Sequence, residues 1–362
     1  MGTNFIKRKI DDGSYEAASV FDVDGDGIKD IVCGAYWYKG PEYTLRYKMC
    51  DVQPEGEYFD DFSDFPMDVN GNGRQDIITG GWWGQKLRWR ENPGNTGLWE
   101  VHDIEQCGCI ETIRYFDIDN CGTVEIFPNT PGEPQCFFKL IKDAAGIPTS
   151  KFIKHVIGET ASGHGMGFGD IDGDGKIEIL LQSGYLKQNE NIFDKWTMVE
   201  AYKCSVWGAS VPMLVYDVNG DGLADIIYGN GHGYGLFWLE QKEDGSFVEH
   251  VIDMAAAQYH DLWLVDIDCD GELELVTGKR YRAHCGNDVG DNDPVGLYYY
   301  KMKDSNFIRN VIDFGEAEIG SGAGIYMWIE DITGNGYLDI VAPGKEGLYL
   351  FENIGLGGRS HD

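Results

Sequence analysis

Apolar and polar positions alternate along this chain in short runs, and no segment keeps a helical period. A mixed run such as MLVY (213–216) or LWLV (262–265) leads into a loop rich in Asp and Gly. A β-branched run such as DIIYG or ELVTG leaves the loop, a third apolar run follows (GLFWLE, GLYLFEN), and an alternating segment ends the unit (KFIKHVI, SFVEHVI, NFIRNVI). Each run reads as a strand, so each unit predicts four. The loops begin at Asp22, Asp68, Asp117, Asp170, Asp217, Asp266 and Asp331, at intervals of 46, 49, 53, 47, 49 and 65 residues. A period of about fifty leaves room for four short strands and their turns.

The two ends of the chain complement each other. The last unit stops after its third strand, at GLYLFENIG, and the chain begins with NFIKRKI, a fourth strand without a unit. An N-terminal strand that completes the last unit leaves no sheet edge exposed. The expected fold is therefore all-β: a seven-bladed β-propeller of four-stranded antiparallel blades, one domain spanning residues 1–362.

Composition narrows the partners. With 29 basic and 61 acidic side chains the formal charge is −32, which argues against nucleic acid and anionic membranes as ligands. A hydrophobic fraction of 42% with 13% aromatics supplies a large core. No run approaches membrane-spanning length, and MGTNFIKRKIDDG lacks the apolar region of a secretory signal, so the expected location is the cytoplasm. There the nine scattered cysteines read as free thiols, and Cys107, Cys109 and Cys121 make only a weak zinc signature. The pattern leaves the oligomeric state open.

Loop positions 1, 3, 5 and 9 are mostly oxygen donors, and position 6 is Gly in all seven copies. The spacing matches the first half of an EF-hand loop, but no Glu stands at position 12 and no helices flank it, which excludes an EF-hand. These positions hold 22 of the 61 acidic residues, which repel one another unless cations neutralise them. Structural calcium is expected on Asp22, Asp24, Asp26 and Asp30; on Asp170, Asp172, Asp174 and Glu178; on Asp217, Asn219, Asp221 and Asp225; and on Asp266, Asp268, Asp270 and Glu274. Asp68, Asn70, Asn72 and Asp76 form a further candidate. The alternative is that the Asp and Gly residues only make Asx-type turns. DVDGDGIKDIV and its copies resemble the FG-GAP or VCBS repeats of integrin-type propellers, a resemblance that implies architecture and calcium but no activity.

The strand order places the connections into each innermost strand, and those between second and third strands, on the face opposite the Asp-Gly loops. Six residues before each loop, where the innermost strand starts, stand Glu16, Phe62, Glu111, His164, Val211, His260 and Ile325. His164 and His260 with Glu111 suit a zinc-like divalent ion, and His232 in GNGHGYG offers a further ligand. Alternatively, these groups line a water-filled channel. On the same face GKRYRAHCGNDVGDND brings Lys279, Arg280, Tyr281, Arg282 and His284. Such a cationic cluster attracts a carboxylate, phosphate or oxyanion, unless the arginines pair with Asp288 and Asp291. Trp37, Trp82 and Trp83 suit sugar rings, and Arg114 joins the substrate-contacting set.

YHDLWLVDIDCDGELELVTGKRYRAH and GHGMGFGDIDGDG also resemble a group of bacterial VCBS-repeat proteins similar to the N-terminal propeller of aldos-2-ulose dehydratases. That resemblance implies zinc on His164 and His260, and loss of water from a keto-sugar; the cupin and lectin domains of the dehydratase have no counterpart here. The expected activity is a carbon–oxygen lyase on a keto-sugar or oxidised glycoside. Glu16 or an unligated His is the base, and His284 or Lys279 assists the leaving oxygen. Its rivals are a lyase or hydrolase of uronate-containing glycans that uses a catalytic His, and a non-catalytic glycan-binding propeller.

Overall fold

The computed structural model describes residues 3–161 and 163–355, which form strands joined by turns, with no helix among them. Five sheets have four antiparallel strands each. A sixth has eight, because the innermost strands of the fourth and fifth repeats, Met166–Gly169 and Met213–Tyr216, lie parallel and bonded. The strand that follows each Asp-Gly loop is buried along its whole length, as in Asp30–Cys33, Glu178–Leu181 and Asp225–Gly229. Burial on both faces explains why these runs are continuously apolar instead of alternating. The fourth strands, such as Phe247–Ala257 and Asn306–Gly315, are half exposed and alternate. The N-terminal strand Asn4–Asp11 pairs antiparallel with Leu348–Gly355, as the matching chain ends require.

Side chains from successive repeats share cores. Ile77 and Trp99 of the second repeat pack with Val32 and Trp37 of the first. Leu297 and Tyr299 of the sixth meet Ile340 and Phe351 of the seventh. Val20 and Ile31 of the first meet Val341 and Leu350 of the seventh. Trp37 is therefore a core residue, fully buried and stacked 4.6 Å from Tyr47; strand alternation turns it away from the face where it was expected to meet substrate.

All seven loops are closed by the same two carboxylates. The first Asp accepts the backbone N–H groups of positions 5 and 6, as Asp22 does from Asp26 and Gly27 at 3.1 and 2.8 Å. The carboxylate at position 9 accepts the N–H of position 2, as Asp30 does from Val23 at 2.9 Å. The turn requires positive φ at positions 4 and 6. Position 6 is always Gly; position 4 is Gly except for Asn120 (φ 54°) and Cys269 (φ 57°). Asn tolerates this region, but an ordinary side chain is strained there. Cys269→Gly is expected to raise stability by about 1 kcal/mol, and Asn120→Gly to change it less, as read by chemical denaturation.

Two insertions distinguish one face. A hairpin of Pro54–Glu55 and Tyr58–Phe59 precedes the second repeat, and residues 280–294 extend the sixth. They clasp each other: the Tyr58 hydroxyl donates to the Ala283 carbonyl, and Glu57 holds Arg282 through bonds of 2.8 and 2.6 Å.

Candidate metal centre

Three imidazoles converge beside these insertions. Ring nitrogens of His164, His232 and His260 all lie within 4.8 Å of one another. His164 and His260 start the innermost strands of the fourth and sixth repeats, and His232 comes from the turn after Asp225–Gly229. His232 Nε2 is 3.0 Å from His164 Nε2, and Glu111 Oε1 is 3.2 Å from His260 Nε2, out of line for a hydrogen bond. Glu111 Oε2 lies 4.0 Å from His164 Nε2. His260 is fully buried, yet neither of its ring nitrogens has a partner. A buried polar atom without a partner costs about 1–3 kcal/mol, and a cation among these nitrogens removes that cost.

Electrostatics suit a cation as well. Burial lowers the pKa of all three imidazoles, that of His260 to about 4, with Arg280 adding to the effect there. They are neutral at pH 7, the form that ligates metal. Burial works against the Glu111 charge, but His164, His260 and Arg280 hold that carboxyl well below its ordinary value. Asp288 completes the frame: its carboxylate lies 2.9 Å from His232 Nδ1 and 3.0 Å from His284 Nδ1. A carboxylate on Nδ1 puts the proton there and leaves Nε2 as a lone pair aimed at the centre. Three neutral imidazoles and a carboxylate fit zinc or a similar divalent ion.

Glu111 and His164 open onto a cleft of about 400 Å³ that is also lined by Tyr58, Trp82, Trp83, Trp207, Arg280 and His284, among others. Trp207, 66% exposed, stacks on His232 at 4.4 Å, and His232 stacks on His284 at 4.2 Å. Sequence reasoning missed Trp207, Tyr58 and the orienting role of Asp288. The available signal for Trp207 was a Trp in CSVWGASVP, just before an innermost strand.

Other expected site residues take structural roles. Glu16 is no base: Arg280 binds it at 2.8 and 3.3 Å, and although burial opposes its charge, Arg280 and Lys345 hold its pKa below the ordinary value. The Lys279 ammonium is buried under the sixth-repeat insertion and donates to the carbonyls of Gly290, Asp291 and Asp293, which removes it as a proton donor to substrate. Arg282 is taken by Glu57 and Asn292. Tyr281 lies in a separate depression with Ser14 and Lys345. Arg114 binds Asp261 at 2.8 Å and the Val211 carbonyl, outside the residues that line the cleft. Arg280 stays at the cleft with its charge paired to Glu16, and Trp82, Trp83 and His284 line it as expected.

The calcium expectation meets a different geometry. Lys39, Lys139, Lys187 and Lys301 reach into the first, third, fourth and sixth loops; Lys39 is 2.7 Å from Asp26 and Lys187 is 2.9 Å from Asp174. All nine cysteines are free thiols.

Comparison with known proteins agrees with the fold. The FG-GAP-like repeat family matches residues 217–277. The crystal structure of BBS1N in complex with ARL6DN, soaked with lead, aligns with a TM-score of 0.50 at 10% identity, covering 96% of each chain. The V. cholerae biofilm matrix protein Bap1 aligns at 0.41 and 11% identity, over 91% of this chain and 77% of its own. No curated protein is matched by the sequence. The chain thus carries an FG-GAP-like repeat on a fold of β-propeller type.

Gly208 makes room for the centre, since a Cβ there would lie 2.5 Å from His232 Cδ2. Its φ is open to other residues, so Gly208→Ala acts only by displacing the imidazole. The expected result is a loss of bound transition metal by elemental analysis, with the melting temperature little changed.

Proposed function

We propose that the chain is one closed seven-bladed β-propeller, and that its axial cleft is the metal centre of a carbon–oxygen lyase acting on a keto-sugar or oxidised glycoside. Closure is supported by the core shared between the first and seventh repeats and by the N-terminal strand on Leu348–Gly355. The observation that carries the function is the cluster of three neutral imidazoles beside Glu111, of which His164 and Glu111 line an aromatic cleft.

His164, His232, His260 and Glu111 would hold the ion, and when bound it supplies Lewis acidity toward a substrate carbonyl. Trp82, Trp83 and Trp207 bind the apolar faces of the sugar and exclude water. His284 replaces Glu16 as the base: its Nδ1–H donates to Asp288, which leaves Nε2 free to take the α-proton. The same proton, returned to the departing hydroxyl, completes loss of water with no net change on the protein. A uronate-directed reaction is less well supported, because Lys279, Arg280 and Arg282 are already paired within the protein.

His164→Ala and His260→Ala are each expected to lose one transition-metal equivalent by elemental analysis. His284→Ala keeps the metal and lowers turnover by about 10²–10⁴-fold. Turnover is read as enone absorbance from 1,5-anhydrofructose or 3-keto-glucosides. Metal unchanged in the histidine variants overturns the centre, and substrates that all survive metal-loaded protein overturn the lyase. Asp288→Asn is expected to weaken metal affinity or activity about 10–100-fold.

A further inference from the structure

The lysines in the loops follow a rule. Loop position 10 pairs with the third strand at Ile31–Tyr38, Ile77–Arg90, Ile126–Phe138, Ile179–Leu186, Ile226–Leu239, Leu275–Tyr300 and Ile340–Phe351. The next residue on the third strand is Lys39, Glu91, Lys139, Lys187, Glu240, Lys301 or Glu352. Wherever that residue is Lys, position 3 of the loop is Asp (Asp24, Asp119, Asp172, Asp268); wherever it is Glu, position 3 is Asn70, Asn219 or Thr333. All seven repeats obey.

The contacts give the reason. Each ammonium touches the position-3 carboxylate and a second one, Asp26, Glu125, Asp174 or Asp270. In the second and fifth repeats the Asn amide donates instead to Glu91 or Glu240, at 3.0 and 3.1 Å, so donor and acceptor have exchanged strands. The first carboxylate of the first, fourth and sixth loops is occupied by backbone, since Asp22, Asp170 and Asp266 each accept the N–H groups of positions 5 and 6, whereas Asp24 Oδ1, Glu178 Oε1 and Asp268 Oδ1 accept no hydrogen bond. Calcium needs six to eight oxygen ligands, several of them charged, and here a positive group already sits on those charges.

The geometry points to four loops, the first, third, fourth and sixth, that are closed by an internal ammonium and take no calcium, contrary to the ligand set that the repeat pattern implies for the first, fourth and sixth. This inference is independent of the imidazole centre. Asp24→Ala, Asp172→Ala and Asp268→Ala each remove the position-3 oxygen donor that calcium would need, while the bonds from the backbone to the first Asp that close the turn remain. Their calcium content after dialysis in millimolar calcium is expected to equal that of the parent. A loss of one equivalent per substituted loop overturns the inference. In the parent chain the acetylation rates of Lys39, Lys187 and Lys301, read by peptide mass spectrometry, are expected to be the same with and without calcium. Faster acetylation in calcium means that the ion expels the ammonium, and also overturns it.

Discussion

One carboxylate per repeat organises this protein. The first aspartate of each loop gathers the N–H groups of the fifth and sixth loop residues, and the ninth residue ties back to the second. Hydrogen bonds to a charged acceptor contribute about 1.5–3 kcal/mol each, and their repetition makes every innermost strand enter its turn in the same way. Residues six places upstream of each loop therefore meet at one mouth although up to six repeats separate them in sequence. The backbone bonds from Val211 to His260 and from Ile325 to Glu16 join these positions between repeats.

At that mouth burial determines chemistry. It keeps three imidazoles neutral, which suits them to a cation, and leaves His260 without a protein partner. The charged groups around them behave differently because they are paired. Glu16 is as buried as Glu111, but Arg280 grips it from 2.8 Å, whereas Glu111 faces the imidazoles. Two carboxylates at equivalent places in their repeats thus separate into an anchor for arginine and a candidate ligand.

Much of this was legible in the sequence, and the divide has a physical basis. Strand order, the pairing of the chain ends, the location of His164 and His260, and the face that bears the site all follow from a period and an alternation. The partners of long charged side chains do not. Lys279, Arg282 and Arg114 stand at places consistent with substrate contact, but their charges end on carbonyls and carboxylates that other loops deliver. The lysines that enter the loops lie on a strand outside the ten-residue signature, so the signature alone reads as a cation site. Trp37 shows the same limit for apolar residues, since alternation within one strand separates core from surface and a loop assignment misplaces it.

The cluster of basic residues in the sixth repeat now has an account that needs no anionic ligand. Lys279 caps three carbonyls of the insertion, Arg282 fastens it to the Tyr58 hairpin through Glu57, and Lys345 donates to the Arg282 carbonyl while sitting 3.9 Å above the Tyr58 ring. The element so fixed carries Asp288 and His284. A carboxylate that must hold two stacked imidazoles by their Nδ1 atoms tolerates little drift, because rotation of the His232 ring would turn its Nε2 away from His164. Cations bound by backbone and side-chain partners rigidify the insertion without adding free positive charge beside the imidazoles of His164, His232 and His260. The repeats supply the converging strands, and this one irregular segment makes one face of a repetitive scaffold asymmetric.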